Sequence, residues 1–354
     1  MTDRRRFGGT DPDSRVRARR IDRGFLATAA AALTMVFAVL LHTVWAPAPR
    51  GGTAEARQEE TAAQPQRPAA PEQRPAASER EKECADGSDP AASLKPATAT
   101  GEAVRRIDER GFLKVGVDQN SYNWSHRDPQ SGELVGFDID LVKAIAEDLL
   151  GPSARIVYKA ISTDQRAEAL AGNDVDLVVR TMTILCEHLD NDVAFSTAYF
   201  EAGQQLLVPH RSRITGLNSS ARGKRLCTAG SSTGEKELSD DAHGVKMIRV
   251  PNQLDCLVLL QLGRADGVVT DNALAAGQAA QDPSVGLVGE PLTSELYGVA
   301  MSRKDEDLVR RVNHVLEEFR EGGESSQWQK SYRKWLDEVL DGESATPPKP
   351  LYRD

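Results

Sequence analysis

Residues 111–151, GFLKVGVDQNSYNWSHRDPQSGELVGFDIDLVKAIAEDLLG, decide how the chain folds. Leu113, Val115 and Val117 alternate with other residues, which is the period of a strand. After a polar loop, Leu141, Ile145 and Leu149 recur every fourth residue and so share one face of a helix. An Asp in Phe137-Asp138-Ile139-Asp140 is placed to cap that helix, and Gly151-Pro152 to stop it. A strand feeding a helix is one βα unit, and its repetition makes an α/β protein built on parallel sheets.

The repetition follows. Strands are expected at 155–158 and 175–179, with a short helix from Asp164 between them. A strand-like run at 204–209 ends in Pro and opens a second series: strand 225–229, helix from Thr233, strand 245–250, helix from Gln253, strand 265–270, helix from Ala273 and strand 285–288. Two series in succession imply two lobes. Strand 296–301 comes next, then two amphipathic helices, one carrying Leu308, Val312, Val315 and Phe319, the other Trp328, Tyr332, Trp335 and Leu340. This last stretch is expected to return to the first lobe, giving crossings near 204–209 and 292–298. The expected bounds are 101–204 for the first part of lobe 1, 205–294 for lobe 2, 295–341 for the return to lobe 1 and 342–354 for a flexible tail.

Upstream, residues 24–45, GFLATAAAALTMVFAVLLHTVW, carry no formal charge, and a helix of about 20 apolar residues suffices to cross a bilayer. Arg4, Arg5, Arg6, Arg15, Arg17, Arg19, Arg20 and Arg23 precede it, so the positive-inside bias keeps 1–23 cytoplasmic and exports everything after Trp45. The segment is longer than a usual secretory h-region, which favours an uncleaved single-pass anchor in the cell membrane over a cleaved signal at Ala54-Glu55-Ala56 or a twin-arginine signal. Residues 46–100 are rich in Pro, Ala, Glu, Gln, Gly and Arg and read as a disordered linker. The net charge of −9 includes an acidic excess in the globular part, which argues against nucleic acid as a partner.

From Phe112 to about Leu340 the chain resembles the periplasmic-type solute-binding proteins for polar amino acids, the receptors of ATP-driven importers, especially those for glutamate, aspartate and glutamine. The segments that carry the likeness are LKVGVDQN, GELVGFDIDLVKAIA, STDQRAEAL, VDLVVRTMTI, VAFSTAYFEAGQQLLV, GKRLCTAGSSTGE, GRADGVVTDNALAAG and LYGVAMS, in that order. The resemblance implies two α/β lobes joined by two hinge crossings and closing on one small amino acid. It also implies delivery to the membrane permease of an ABC importer; a membrane-tethered sensor feeding a kinase pathway is the alternative partner. An enzyme on this scaffold is the third reading, with Glu187 and His188 as the acid and base it would have to use; no motif pairs a nucleophile with a base, so no enzyme is expected. No cofactor is expected, and the cysteine spacings offer no zinc pattern.

The resemblance also assigns candidate ligand contacts. Asp271, in Val-Val-Thr-Asp, matches the family's partner for the ligand ammonium, with helix capping as its other role. Gly230, Ser231, Ser232 and Thr233 stand where a strand turns into a helix, a place that offers N–H groups and a helix dipole to a carboxylate. Thr163 and Arg166 lie in the segment whose Arg grips a side-chain carboxylate in acidic amino-acid receptors, and a guanidinium presents a planar fork suited to that task. Thr181 and Thr183 match a pair of small donors, and Tyr122 and Trp124 an aromatic wall. The sequence departs from the family where an Arg for the α-carboxylate is expected: His188 stands nearest that position. Either Arg180 reaches into the cleft, or His188 binds weakly and with pH dependence, or the ligand is not an ordinary α-amino acid. A Cys227–Cys256 disulfide within lobe 2 is implied by similar receptors; Cys84 and Cys186 form a second possible pair that would pin the linker's end to lobe 1, with free buried thiols as the alternative for both.

Overall fold

The strand Leu113–Val117 lies between two parallel partners, Ile156–Ala160 and Leu177–Thr183. The computed structural model that shows this describes residues 82–240 and 244–354, so the apolar stretch 24–45 lies outside the described residues. Among those described, no helix is long and apolar enough to cross a membrane. The sheet is completed by Glu295–Ser302, antiparallel to Leu177–Thr183, and by Val193–Phe195 and Phe200–Ala202, which both pair with Glu295–Ser302.

A second sheet runs in the order Lys246–Val250, Arg225–Ala229, Gly267–Asp271, Gln204–Pro209, Val285–Val288. The first three strands are parallel, and Gln204–Pro209 is antiparallel to both its neighbours. The two-residue period explains how this sheet is covered on both faces. Leu207, Cys227 and Val268 pack with Leu257 and Leu260 on one side, while Leu206, Val208, Leu226 and Val269 pack with Ile214 and Leu238 on the other.

The chain passes between the sheets at Gly203 and again before Glu295, and the two passages touch. The Gln204 N–H donates to Thr293 Oγ1 at 2.8 Å, and the Leu292 N–H to the Gln204 carbonyl at 2.6 Å. A Cβ on residue 203 would lie 2.1 Å from the Thr293 carbonyl oxygen, so only glycine lets the passages run side by side.

Three expectations are corrected. Neither Asp138 nor Asp140 caps the helix Phe137–Leu150: its cap position is Gly136, without a side-chain bond, and Asp138 is wholly buried. The linker's composition misleads at its far end, because Ser93–Leu94 pairs in parallel with Tyr352–Arg353. Polar anchors hold this pairing alongside the packing of Leu94 against the core. Asn313 donates to Ser93 Oγ and the Leu94 carbonyl at 2.8 and 2.7 Å, and Arg310 to Asp354 at 2.6 Å. The stretch expected to be a flexible tail therefore ends in a strand docked beside the helix Glu306–Arg320.

Candidate functional site

A cavity of about 360 Å³ lies between the two sheets' lobes. Thr183, Ala229 and Asp271, the last residues of three parallel strands, line it. The carboxyl ends of parallel strands are where open α/β sheets place their ligands.

The first lobe's wall is shaped by an irregularity. In a regular strand, neighbouring residues point to opposite faces, yet Arg180, Thr181 and Thr183 all line the cavity. The pairing of Leu177–Thr183 with Glu295–Ser302 shifts register between Gly298 and Ala300, opposite a stretch in which Thr181 has a φ of 43°. A β-branched residue at positive φ is strained. A bulge of this kind turns side chains toward a functional face.

Two arginines reach the wall with different freedom. Arg180 donates to the Ile161 carbonyl, Thr163 Oγ1 and Asn252 Oδ1 at 2.9, 3.0 and 2.8 Å, and pairs with Asp118 at 3.1 Å. Its charge is balanced and each of its nitrogens is engaged. Arg166, the first residue of the helix Arg166–Ala171, donates only to the carbonyls of Thr163 and Ser231, at 2.8 and 3.0 Å. Among the described residues it has no carboxylate partner. Burial, and then the charge of Arg180, lower its pKa to about 9, so it stays protonated at neutral pH.

His188 also lines the cavity, but burial, and then Arg166, push its pKa down to about 4. At neutral pH it is an uncharged imidazole and cannot supply the charge of the missing arginine. Glu187, beside it, lines the same wall.

On the second lobe Asp271 occupies the cap position of the helix Asn272–Gln281 and makes no capping bond. Its two oxygens accept instead from Gln204 Nε2 and from the Tyr297 hydroxyl. Burial, and then the neighbouring Glu295, raise its pKa well above the ordinary carboxylate value. No cation pairs with it among the described residues, although Arg166 pulls its pKa down. Ser231, Ser232 and Thr233 line the cavity, whereas Gly230 does not. Gly230 spends its N–H on the Val250 carbonyl, and Ser231 on Glu235, at 2.9 and 2.7 Å. The N–H groups of Ser232, Thr233 and Gly234 are left without a partner among the described residues at the open first turn of the helix Thr233–Asp240.

Tyr122 and Trp124 do not line the cavity. Trp124 is wholly buried among Phe137, Phe200 and Tyr297, with ring centroids 5.6, 4.8 and 5.7 Å away. Its Nε1–H reaches across to the Ala273 carbonyl at 3.1 Å, so it braces the helix that follows Asp271 from behind. Tyr122 is exposed, and its carbonyl oxygen lies 2.8 Å from where a Cβ on Gly277 would stand. Other bonds join the lobes around the cavity: the Thr163 N–H to the Pro251 carbonyl at 3.2 Å, and Gln253 Nε2 to Asp118 at 3.2 Å. Gln204, Gln253 and Lys236 line the cavity although no motif singles them out.

Behind the bulge, Asp138 accepts from the Tyr199 hydroxyl at 2.9 Å, and its other oxygen has no partner among the described residues. Burial raises its pKa from 3.8 to about 7, against the pull of Tyr199 and the Thr181 backbone. A group whose folded pKa is raised contributes stability that is complete below its unfolded pKa and lost as pH rises through the folded one. Stability is therefore expected to fall between about pH 4 and pH 7, and Asp138→Asn to flatten that part of the profile. Denaturant midpoints of both proteins across this range check it, and parallel profiles would contradict it.

Residues 113–338 match the model of the bacterial extracellular solute-binding proteins, family 3. The chain belongs to this family. Its binding domain is therefore of an extracytoplasmic kind, and its function is to bind a solute. Relatives of the chain include the ABC transporter glutamine-binding protein GlnH of Bacillus subtilis, 32% identical over 252 residues that cover 71% of this chain and 90% of that protein. The glutamine-binding protein of Geobacillus stearothermophilus is 30% identical, covering 66% and 89%. Among solved structures, a mutant of the arginine-binding protein ArgBP from T. maritima matches with a TM-score of 0.61 and 32% identity, covering 67% of this chain and 100% of that one. An ancestral arginine-binding protein bound to glutamine matches with a TM-score of 0.59 and 36% identity, covering 64% and 98%. As a family 3 protein, the chain carries its cavity where the two lobes meet.

Proposed function

We propose that the cavity takes one zwitterionic polar amino acid of the glutamate, aspartate or glutamine class. The observation that carries this is a pair of complementary groups on one cavity, from opposite lobes: the Arg166 guanidinium, with no carboxylate partner, and the Asp271 carboxyl, with no cation partner, among the described residues. The ligand's ammonium sits against Asp271 and a carboxylate against Arg166, aided by Ser232, Thr233, Thr181 and Thr183. The closed form is handed to the permease of an ABC importer, and the stretch 24–45 keeps the body at the outer face of the membrane. Names of the relatives support the ligand class and the importer, because the first of them is a glutamine-binding protein of an ABC transporter.

Titration calorimetry with glutamate, aspartate, glutamine and asparagine tests the reading, and silence across the four overturns it. Arg166→Lys keeps the charge but loses the fork. Its affinity is expected to fall roughly 10-fold or more, with carboxylate side chains affected more than amides if Arg166 grips the side chain, and all four equally if it grips the α-carboxylate. Uptake of labelled ligand in a deletion strain separates delivery to an importer from presentation to a membrane sensor.

A further inference from the structure

Behind the cavity's lining, hydrogen-bonded to Thr183 and Thr233 of that lining, stands a second buried carboxylate that no motif points to. Glu295 is the first residue of the strand Glu295–Ser302 and stands immediately after the second passage between the lobes. Its Oε2 accepts from Thr183 Oγ1 of one lobe and from Thr233 Oγ1 of the other, both at 2.8 Å. Gln204 Nε2, at the first passage, approaches the same oxygen at 3.5 Å while donating to Asp271. The other oxygen accepts from Thr293 Oγ1 at 2.9 Å. One carboxylate thus collects a hydroxyl from each lobe and a group from each passage, and Thr183 and Thr233 reach one oxygen together only when the lobes are shut.

We propose that Glu295 is a positioning residue for solute binding, coupling closure of the lobes to the placement and protonation of Asp271. This rests on the reading of Asp271 as the ammonium partner. Two carboxylates sharing one amide nitrogen in a buried site repel each other, and a proton on the pair relieves that repulsion. A ligand ammonium replaces the proton, so binding releases it to solvent. The other titratable or charged groups around the pair are Arg166, Arg180, Glu187 and His188 of the first lobe and Glu235 and Lys236 of the second, all on the same lining, together with Tyr297 from the same strand, donating to Asp271, and Tyr199 behind Tyr297, donating to Asp138. Arg166 and the tyrosines keep their protons at neutral pH and His188 has already lost its own, which leaves Asp271 to exchange one.

The test uses the full chain, its Glu295→Gln variant and its Glu295→Asp variant, titrated with L-glutamate, L-aspartate and L-glutamine in two buffers of different ionisation enthalpy at pH 7. The wild type is expected to release protons on binding. The Gln variant is expected to bind roughly 10-fold or more weakly and to release fewer protons, because Asp271 no longer faces a second negative charge. The Asp variant keeps the charge and loses the reach, so its affinity falls while its proton release persists. A Gln variant with the affinity and proton release of the wild type overturns the proposal. If the wild type itself binds none of the three, the ligand reading fails, and Glu295 is judged without ligand by unfolding temperature between pH 5 and 9. There the raised Asp271 pKa makes the wild type lose stability as pH rises. A flatter Gln profile upholds the coupling of the two carboxylates, and parallel profiles overturn it.

Discussion

Asp271→Asn is expected to abolish measurable amino-acid binding while leaving the ligand-free protein as stable as the wild type, or more so above neutral pH. The two effects have opposite signs because the carboxylate is costly until an ammonium arrives. Asp271 is buried, lies beside Glu295 and has no cation partner among the described residues, so its ionised form is disfavoured in the empty cavity. Asn keeps the shape and both contacts: its Oδ1 accepts from Gln204, and its Nδ2 donates to the Tyr297 oxygen, a hydroxyl that serves either way. What disappears is the charge. Removing one partner of a buried, hydrogen-bonded charge pair costs about 2–5 kcal/mol, which is roughly 30-fold to several thousand-fold in affinity. Calorimetry against the best ligand, with unfolding temperature measured on the same samples, checks both halves. A variant that binds within a factor of three of wild type would remove Asp271 from the site, and one that binds poorly but also melts much lower would show that the loss was structural.

How much of this was legible in the sequence depends on which interactions have a period. The strands and helices were, because burial on one face writes a two- or four-residue repeat, and Leu113–Val117, Gln204–Pro209 and Arg225–Ala229 pair as that repeat implies. Arg166, Thr183, Ser231, Ser232, Thr233 and Asp271 stand on one cavity because each sits at the end of a strand or at the start of a helix, and such ends can be counted. The rest depends on contacts between remote positions. Trp124 follows a strand end, where an aromatic side chain over the ligand was expected, yet its ring turned into the core to meet Phe200 and Tyr297, and that choice is made by residues more than seventy positions away. The bulge at Thr181 has no glycine on its own strand to announce it. Glu295 and Gln204 are polar residues beside apolar runs, and they gain meaning only where the two passages meet. Residues 84–98 read as linker because their anchors are polar and come from Arg310, Asn313 and the chain's last residues.

Removing the Cys84–Cys186 bridge is expected to destabilise the protein more than removing Cys227–Cys256, and, unlike the latter, to weaken binding as well. Both bridges are formed, each with a Cα–Cα distance of 5.5 Å, and they close stretches of very different length, 102 and 29 residues apart in sequence. In the chain-entropy relation these separations correspond to about 4.7 and about 3.6 kcal/mol. The first value is an upper figure, because residues 84–98 keep their bonds to Asn313 and Arg310 after the bridge is cut. The effect on binding follows from position. Cys186 begins the short helix Cys186–Asp190, between Leu185 and Glu187, and both of those neighbours and His188 line the cavity. Cutting the bridge frees the wall that they form, and ordering it again on binding costs affinity. Cys227 is wholly buried in the second lobe's core and is not on the lining, so its loss acts on stability alone. Urea midpoints and calorimetry of the Cys84→Ser/Cys186→Ser and Cys227→Ser/Cys256→Ser double variants separate the two. If the first pair binds as tightly as wild type, the bridge is only a staple; if the second is the more destabilised, core packing around Cys227 outweighs loop length.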